Sequence, residues 1–383
     1  MRVCIVYDCL FPYTIGGGER WYRSLAERLA REGHEVTYLT LRQWERGEEV
    51  ALDGDVRVLA VGPRMALYTA SGRRRILPPL VFGAGVLWHL LRHGRRYEVV
   101  DTSAFPYFSL LAAAAVRPLA GFELVVDWFE VWSDSYWRGY LGAVGGRMGA
   151  LVQRLCVRVP QRAFCISELH ASRLRKEGLR GPVTVLRGLY AGSTEAPAVG
   201  PADPLVLFAG RLIPEKNAPL AVTAIALAAH RIEGLQGEIL GDGPERAALD
   251  AVIAESGVGQ TVSAPGFVDG DLLIAEMRRA MCMLVTSRRE GYGLVVVEAA
   301  AHATPSVVVA GEDNAATELI VEGVNGTVAH SSDPQAVADA IVRVHKGGLA
   351  LRESTARWFA ENAERLSLES SLRIVLESYA SPV

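Results

Sequence analysis

Only three of the chain's 40 basic residues are lysines, Lys176, Lys216 and Lys346, and five cysteines are scattered through 383 residues. Cys4, Cys9, Cys156, Cys165 and Cys282 are odd in number and lack zinc or redox spacing. That excludes a disulfide framework and fits a reducing compartment. No histidine lies between His93 and His170, so a long central stretch has no imidazole to offer. A dominant charge is also missing: the formal net charge is −3, and nucleic acid is not an expected partner. No apolar run reaches the ~20 residues of a membrane span. "ILPPLVFGAGVLWHLL", residues 76–91, comes nearest, but it holds Pro78, Pro79 and His89 and reads as a buried helix beginning after the prolines. Its basic flanks, Arg73–Arg75 and Arg92–Arg96, leave peripheral contact with an anionic membrane open. Arg2 runs directly into "VCIVYD", so no secretory leader is expected and a cytoplasmic location is.

What is present is a globular composition, half hydrophobic, in a chain long enough for two cores. Short β-branched runs alternate with amphipathic stretches. Strands are expected at Val3–Tyr7, Glu35–Thr40, Val56–Val61, Glu98–Thr102, Glu123–Val126, Ala163–Ile166 and Val183–Leu186. After "YAGSTEAPAVGPADP" the alternation restarts at Leu205–Ala209, Glu238–Leu240, Met283–Thr286 and Ser306–Val309. Strand–helix alternation implies right-handed crossovers and doubly wound parallel sheets, with ligands at the strands' carboxyl ends. The expected division is an N-terminal domain over 1–190, a linker over 191–204, a C-terminal domain over 205–360 and a terminal helix over 361–383. Everything from Asp333 on reads as helical.

"RREGYGLVVVEAAAHATP", residues 288–305, places Glu290 and Glu298 seven residues apart around Gly291 and Gly293, at a strand–loop–helix junction. Two carboxylates there can accept hydrogen bonds from sugar and ribose hydroxyls, beside free amides at the helix start, Leu294 and Val295. Acids in a first helical turn also simply favour the dipole. "FAGRLIPEKN", residues 208–217, puts Arg211 and Lys216 just past a strand end, where a departing diphosphate needs its charge offset; an exposed basic turn is the plain alternative. "GDGPE", residues 241–245, can approach a nucleotide base or merely turn. Gly16, Gly17 and Gly18 open a helix, but the G-x-G-x-x-G spacing fails, which disfavours a dehydrogenase. "DGD" occurs at 53–55 and 269–271; the second reads as a helix cap and the first as a charged loop, so no metal is expected.

In this order and spacing, the glycine loop, "GRLIPEKN", "GDGPER" and the Glu-seven-Glu segment resemble the family-four retaining glycosyltransferases of GT-B architecture. The resemblance implies an α/β fold of two doubly wound Rossmann-like domains facing a central cleft, with C-terminal helices returning to the N-terminal domain. It implies a nucleotide-sugar donor, with GDP- or UDP-sugar favoured, as substrate rather than cofactor, and a small-molecule or glycan acceptor. Arg211 and Lys216 would hold the diphosphate, Glu298 the ribose and Glu290 the sugar, with Gly17 and Gly18 lining the sugar–phosphate site; Arg211, Lys216 and Glu290 would be catalytic. In a branch of the family one strand end reads Asp-Trp-His-Glu-Val-Trp; here Asp127, Trp128, Phe129, Glu130, Val131 and Trp132 stand instead, with phenylalanine for histidine. Three of the seven tryptophans fall within ten residues there, Trp128, Trp132 and Trp137. Asp127, Phe129, Glu130 and Trp132 are the expected acceptor side. The substitution leaves open a hydroxyl acceptor served by the donor phosphate, a sulfur nucleophile needing little base help, or a non-catalytic homologue. A sugar-nucleotide epimerase shares the architecture but needs a histidine. "VLRGLYAG", residues 185–192, has Arg187, Gly188 and Tyr190 where the family commonly shows Asn-Gly followed by an acid.

Overall fold

A computed structural model describes residues 1–45, 47, 48, 50, 52–69 and 74–380 of the chain. Arg73 of the basic flank and residues 381–383 of the expected terminal helix lie outside these. Two compact units form: Met1–Leu186 with the chain from Ser371 on, and Arg187–Ser370.

The first unit runs β1 (Arg2–Val6), α1 (Gly17–Arg31), β2 (Glu35–Leu41), β3 (Val56–Gly62), α2 (Leu77–His93), β4 (Val99–Ser103), α3 (Phe108–Ala120), β5 (Glu123–Trp128), α4 (Asp134–Val157), β6 (Arg162–Cys165), α5 (Glu168–Glu177) and β7 (Val183–Val185). Its seven strands are parallel in the order β3-β2-β1-β4-β5-β6-β7. The order reverses between β1 and β4. Such strands are covered on both faces, so they read as near-continuous apolar runs; Val3 to Val6 and Leu124 to Val126 are fully buried. α2 begins at Leu77 and takes Pro78 and Pro79 into its first turn, not after them. Proline's missing N–H costs nothing there.

The second unit runs β8 (Leu205–Ala209), α6 (Ala218–Ala229), β9 (Gln236–Leu240), α7 (Arg246–Glu255), β10 (Val262–Gly266), α8 (Gly270–Arg279), β11 (Cys282–Val285), β12 (Arg289–Glu290), α9 (Leu294–Ala300), β13 (Ser306–Val309), β14 (Asp313–Asn314), β15 (Gly326–Ala329) and α10 (Pro334–Leu366). Its six-stranded parallel sheet is ordered β10-β9-β8-β11-β13-β15, reversing between β8 and β11, while β12 and β14 form a separate pair. β10 and β15, both at sheet edges, are strands that the sequence pattern did not announce. β10 contains Pro265, tolerated only where no ladder bond is needed. The helical tail is also interrupted: α10 bends at Gly348 (φ 50°), and Ser367 separates it from α11 (Leu368–Tyr379). Asp269 caps α8, its side chain accepting from the Leu272 amide at 2.8 Å. Tyr190 pairs with the chain around Ser367, its amide donating to Leu366 O at 3.0 Å and its carbonyl accepting from the Leu368 amide at 2.8 Å.

Candidate functional site

In the second unit, Lys216 and Glu290 meet at the carboxyl ends of β8 and β11, where the strand order reverses. The Lys216 ammonium donates to Glu290 Oε2 at 2.5 Å, and both side chains are largely shielded from solvent. The loop that presents Lys216 is held from two sides. Thr286, just past β11, donates its hydroxyl to the carbonyls of Lys216 and Asn217 at 2.9 and 3.0 Å. Leu212 N–H donates to Asp242 O at 2.9 Å, which fastens "GRLIPEKN" to "GDGPE". That contact requires glycine: at Gly241 (φ 132°) a Cβ would lie 1.9 Å from Gly210 O. Arg211 stands exposed on the same loop.

Glu290 is fixed through the β12–β14 pair, where it lies opposite Asn314. The Asn314 amide bridges Ser287 O and Val309 O at 2.9 and 2.8 Å. Gly291 and Gly293 are buried; Gly293 (φ 95°) caps α9, and a Cβ there would come 2.5 Å from that of Ala316. Leu294, Val295 and Glu298 follow, each half-buried. Burial, and then the Glu298 charge, raises the Tyr190 hydroxyl pKa, so these two side chains are neighbours. Tyr292, which sequence reasoning passed over, donates its hydroxyl to Arg187 O at 2.5 Å, so the divergent "VLRGLYAG" loop is tied to the loop bearing Glu290.

In the first unit the aromatic stretch is mostly core. Trp128 and Trp137 are buried, with their indoles donating to Gln161 Oε1 at 2.8 Å and Gln153 Oε1 at 3.2 Å. Trp132 is buried too, and donates to Glu130 Oε2 at 2.7 Å. Phe129 and Glu130 alone among the expected acceptor-side residues are partly exposed. Phe129 stands edge-on to Tyr22, centroids 5.9 Å apart, and a Cβ at Gly18 would sit 3.5 Å from its ring and 2.6 Å from the Tyr7 hydroxyl. Gly17 faces open space.

Asp127, expected at the acceptor side, is 3% exposed, and its Oδ2 accepts from the Trp21 indole at 2.8 Å. Burial, partly opposed by that indole, pushes its carboxyl up to about 7. Burial followed by the Asp127 charge also raises neighbouring Asp101, whose Oδ2 accepts from the Tyr379 hydroxyl.

The fold also supplies partners that no local signal marks. His170 is buried behind the strand end, its Nδ1 accepting from the Val131 amide at 3.1 Å. That bond sets the neutral tautomer with the proton on Nε2. The imidazole missing between His93 and His170 is thus present in space, as a brace for the backbone. At the β1/β4 reversal, Arg74 pairs with the fully buried Asp8, while its guanidinium lies 5.5 Å from the Phe105 ring centre and 5.8 Å from that of Tyr68. Asp8 Oδ1 and Arg74 Nε are buried without a partner among the described residues. No group of three or more His, Cys, Asp or Glu among the described residues is placed to hold a metal.

Residues 16–188 match the family model of a glycosyl transferase 4-like domain, and residues 195–365 that of glycosyl transferases group 1. The chain is 30% identical over 141 residues to alpha-D-kanosaminyltransferase of Streptomyces kanamyceticus, covering 37% of this chain and 36% of that one. It is 31% identical over 170 residues to a GDP-mannose-dependent alpha-(1-6)-phosphatidylinositol monomannoside mannosyltransferase of Mycobacterium tuberculosis, covering 40% and 44%. The matched stretches thus span about two fifths of these relatives' length. Among solved structures, the sucrose-phosphate synthase of Thermosynechococcus elongatus superposes with a TM-score of 0.78 at 18% identity, covering 99% of this chain and 98% of that one. Anabaena HepE in complex with UDP gives 0.72 at 18% identity, with full coverage of both.

Proposed function

Because the chain belongs to the family-four glycosyltransferases of GT-B architecture, we propose that it transfers a hexose-type sugar, with retention and without a metal, from a nucleoside-diphosphate sugar to a small-molecule or glycan acceptor. The observation that carries this reading is the Lys216–Glu290 pair at the β8/β11 reversal. An ammonium has three donors, so Lys216 can keep Glu290 and still reach a phosphate oxygen. Arg211, exposed on the same loop, adds the second cation. As the glycosidic bond breaks, negative charge grows on the departing diphosphate, and fixed cations lower that barrier. Glu290 would accept from the sugar hydroxyls and Glu298 from the ribose.

The acceptor falls to the first unit, at Phe129 and Glu130. Phe129 provides no proton acceptor, and Glu130 is engaged by Trp132. The leaving phosphate is then the base for a hydroxyl, unless the nucleophile is a sulfur that needs little help. The mannosyltransferase relative uses GDP-mannose by its name, and the HepE complex holds UDP; both bases therefore enter the test.

Thermal unfolding with UDP, GDP and ADP, wild type beside Glu298→Ala, is the experiment. At a hundred times its dissociation constant one nucleotide should add about 2.7 kcal/mol, a shift of roughly 2 °C or more, and the variant should lose it. No shift with any nucleotide would favour the non-catalytic reading.

A further inference from the structure

We propose that the first unit docks on an anionic lipid surface through the outward faces of α2 and α4, a property independent of the donor reading. α4 bends at Gly142 (φ 74°) and its second half folds back on its first. A Cβ at Gly146 would lie 2.6 Å from the Trp137 carbonyl oxygen, and one at Gly149 2.4 Å from the Trp137 ring. The other side of that second half carries Val144, Met148, Leu151 and Leu155, spaced i, i+4, i+7 and i+11 as a single stripe. All four are more than half exposed, Val144 at 72%. Arg147 and Arg158 stand exposed beside the stripe, and Arg154, next to it, is paired with Asp134 at 2.7 Å. From Ser135 to Ser167 the chain has five arginines and no aspartate or glutamate.

α2 repeats this composition. Ile76, Leu77, Leu91 and Trp88 are exposed, Trp88 at 62%, with the Arg92 guanidinium stacked on its ring and Arg95 and Arg96 next along the chain. Residues 56–97 contain no acid at all. Right-handed crossovers from β3 to β4 and from β5 to β6 run the same way along the sheet, so α2 and α4 cover one side and α1 the other. The charge division points the same way: the first unit has 26 basic and 19 acidic residues, a formal +7, against 14 and 24 in the second, a formal −10.

Apolar side chains bordered by arginines, with an amphipathic tryptophan among them, suit the boundary between headgroups and acyl chains. A second copy seated on this face would set arginine against arginine. An anionic bilayer satisfies both components at once.

The test is co-sedimentation of the full chain with vesicles of phosphatidylcholine alone or mixed with phosphatidylglycerol. The protein should pellet only with the mixed vesicles, and not at high salt. Arg147→Ala should weaken partitioning about fivefold. Met148→Ser with Leu151→Ser should abolish it, while Arg31→Ala on α1 should change nothing. All these side chains are exposed, and unaltered melting of each variant verifies the fold. Failure to pellet, or equal pelleting with both vesicles, overturns the proposal. So does a wild-type dimer dispersed by the serine variant, since a second copy would then be the occupant.

Discussion

Lys216 is one of three lysines in the chain and the one whose ammonium is held 2.5 Å from a carboxylate at a strand-order reversal. Lys216→Ala should cut turnover with the cognate donor by at least about 10²-fold, the scale of a lost transition-state charge partner, measured as kcat on purified enzyme. Near-normal kcat would remove the diphosphate role. Asp127 gives a prediction of a different kind. Its carboxyl is pushed up from 3.8 to about 7 in the folded chain, so the folded state holds a proton that the unfolded state releases. Stability from this group is therefore full below about 4 and falls as pH rises toward 7. Asp127→Asn keeps an acceptor for the Trp21 indole and removes the titration. Its melting temperature should exceed wild type by a margin that widens from pH 4 to 7 and then levels, read from paired melts across that range. A constant margin would mean the carboxyl is not perturbed by burial.

Among the elements, those that lie inside a sheet were legible in the chain, because a parallel strand covered on both faces must be apolar throughout. "LVLFA" and "SVVV" became β8 and β13 with the expected bounds. In the second sheet the edges were not legible: β10 carries Pro265 and β15 opens at Gly326 (φ 158°), where a Cβ would lie 2.0 Å from Ser306 O. Neither has the pattern of a buried strand. The donor-side motifs were readable because they cluster in short segments. The companions of the aromatic stretch were not, since His170 is 39 residues from Val131 and Arg74 is 66 from Asp8. Contacts at that separation leave no periodicity to detect. The junction of "GRLIPEKN" with "GDGPE" offers a test at this scale. Gly241→Ala forces an L-residue to φ 132°, roughly 1–3 kcal/mol of backbone strain, and adds overlap with Gly210 O. The second unit should unfold at lower denaturant, and nucleotide affinity should fall with it, because the same turn holds the Lys216 loop.

For the whole molecule, the chain's two ends belong to one unit. Tyr379 lies in α11, and its buried hydroxyl donates to Asp101 on β4, 278 residues earlier. Tyr379→Phe strips that carboxyl of its donor and should cost about 1–3 kcal/mol, visible in guanidinium unfolding followed by tryptophan fluorescence. The charge division between the units also means that the net −3 describes neither of them.

The Tyr379–Asp101 bond has a consequence for biosynthesis. A ribosome that has finished β7 has made every strand of the first sheet, yet the partner that closes its core is still almost two hundred codons away. Until those codons are read, Asp101 waits beneath the sheet without its donor. The second unit, uninterrupted in the chain, can be complete first, so the unit whose strands are made earlier is the one that finishes folding later.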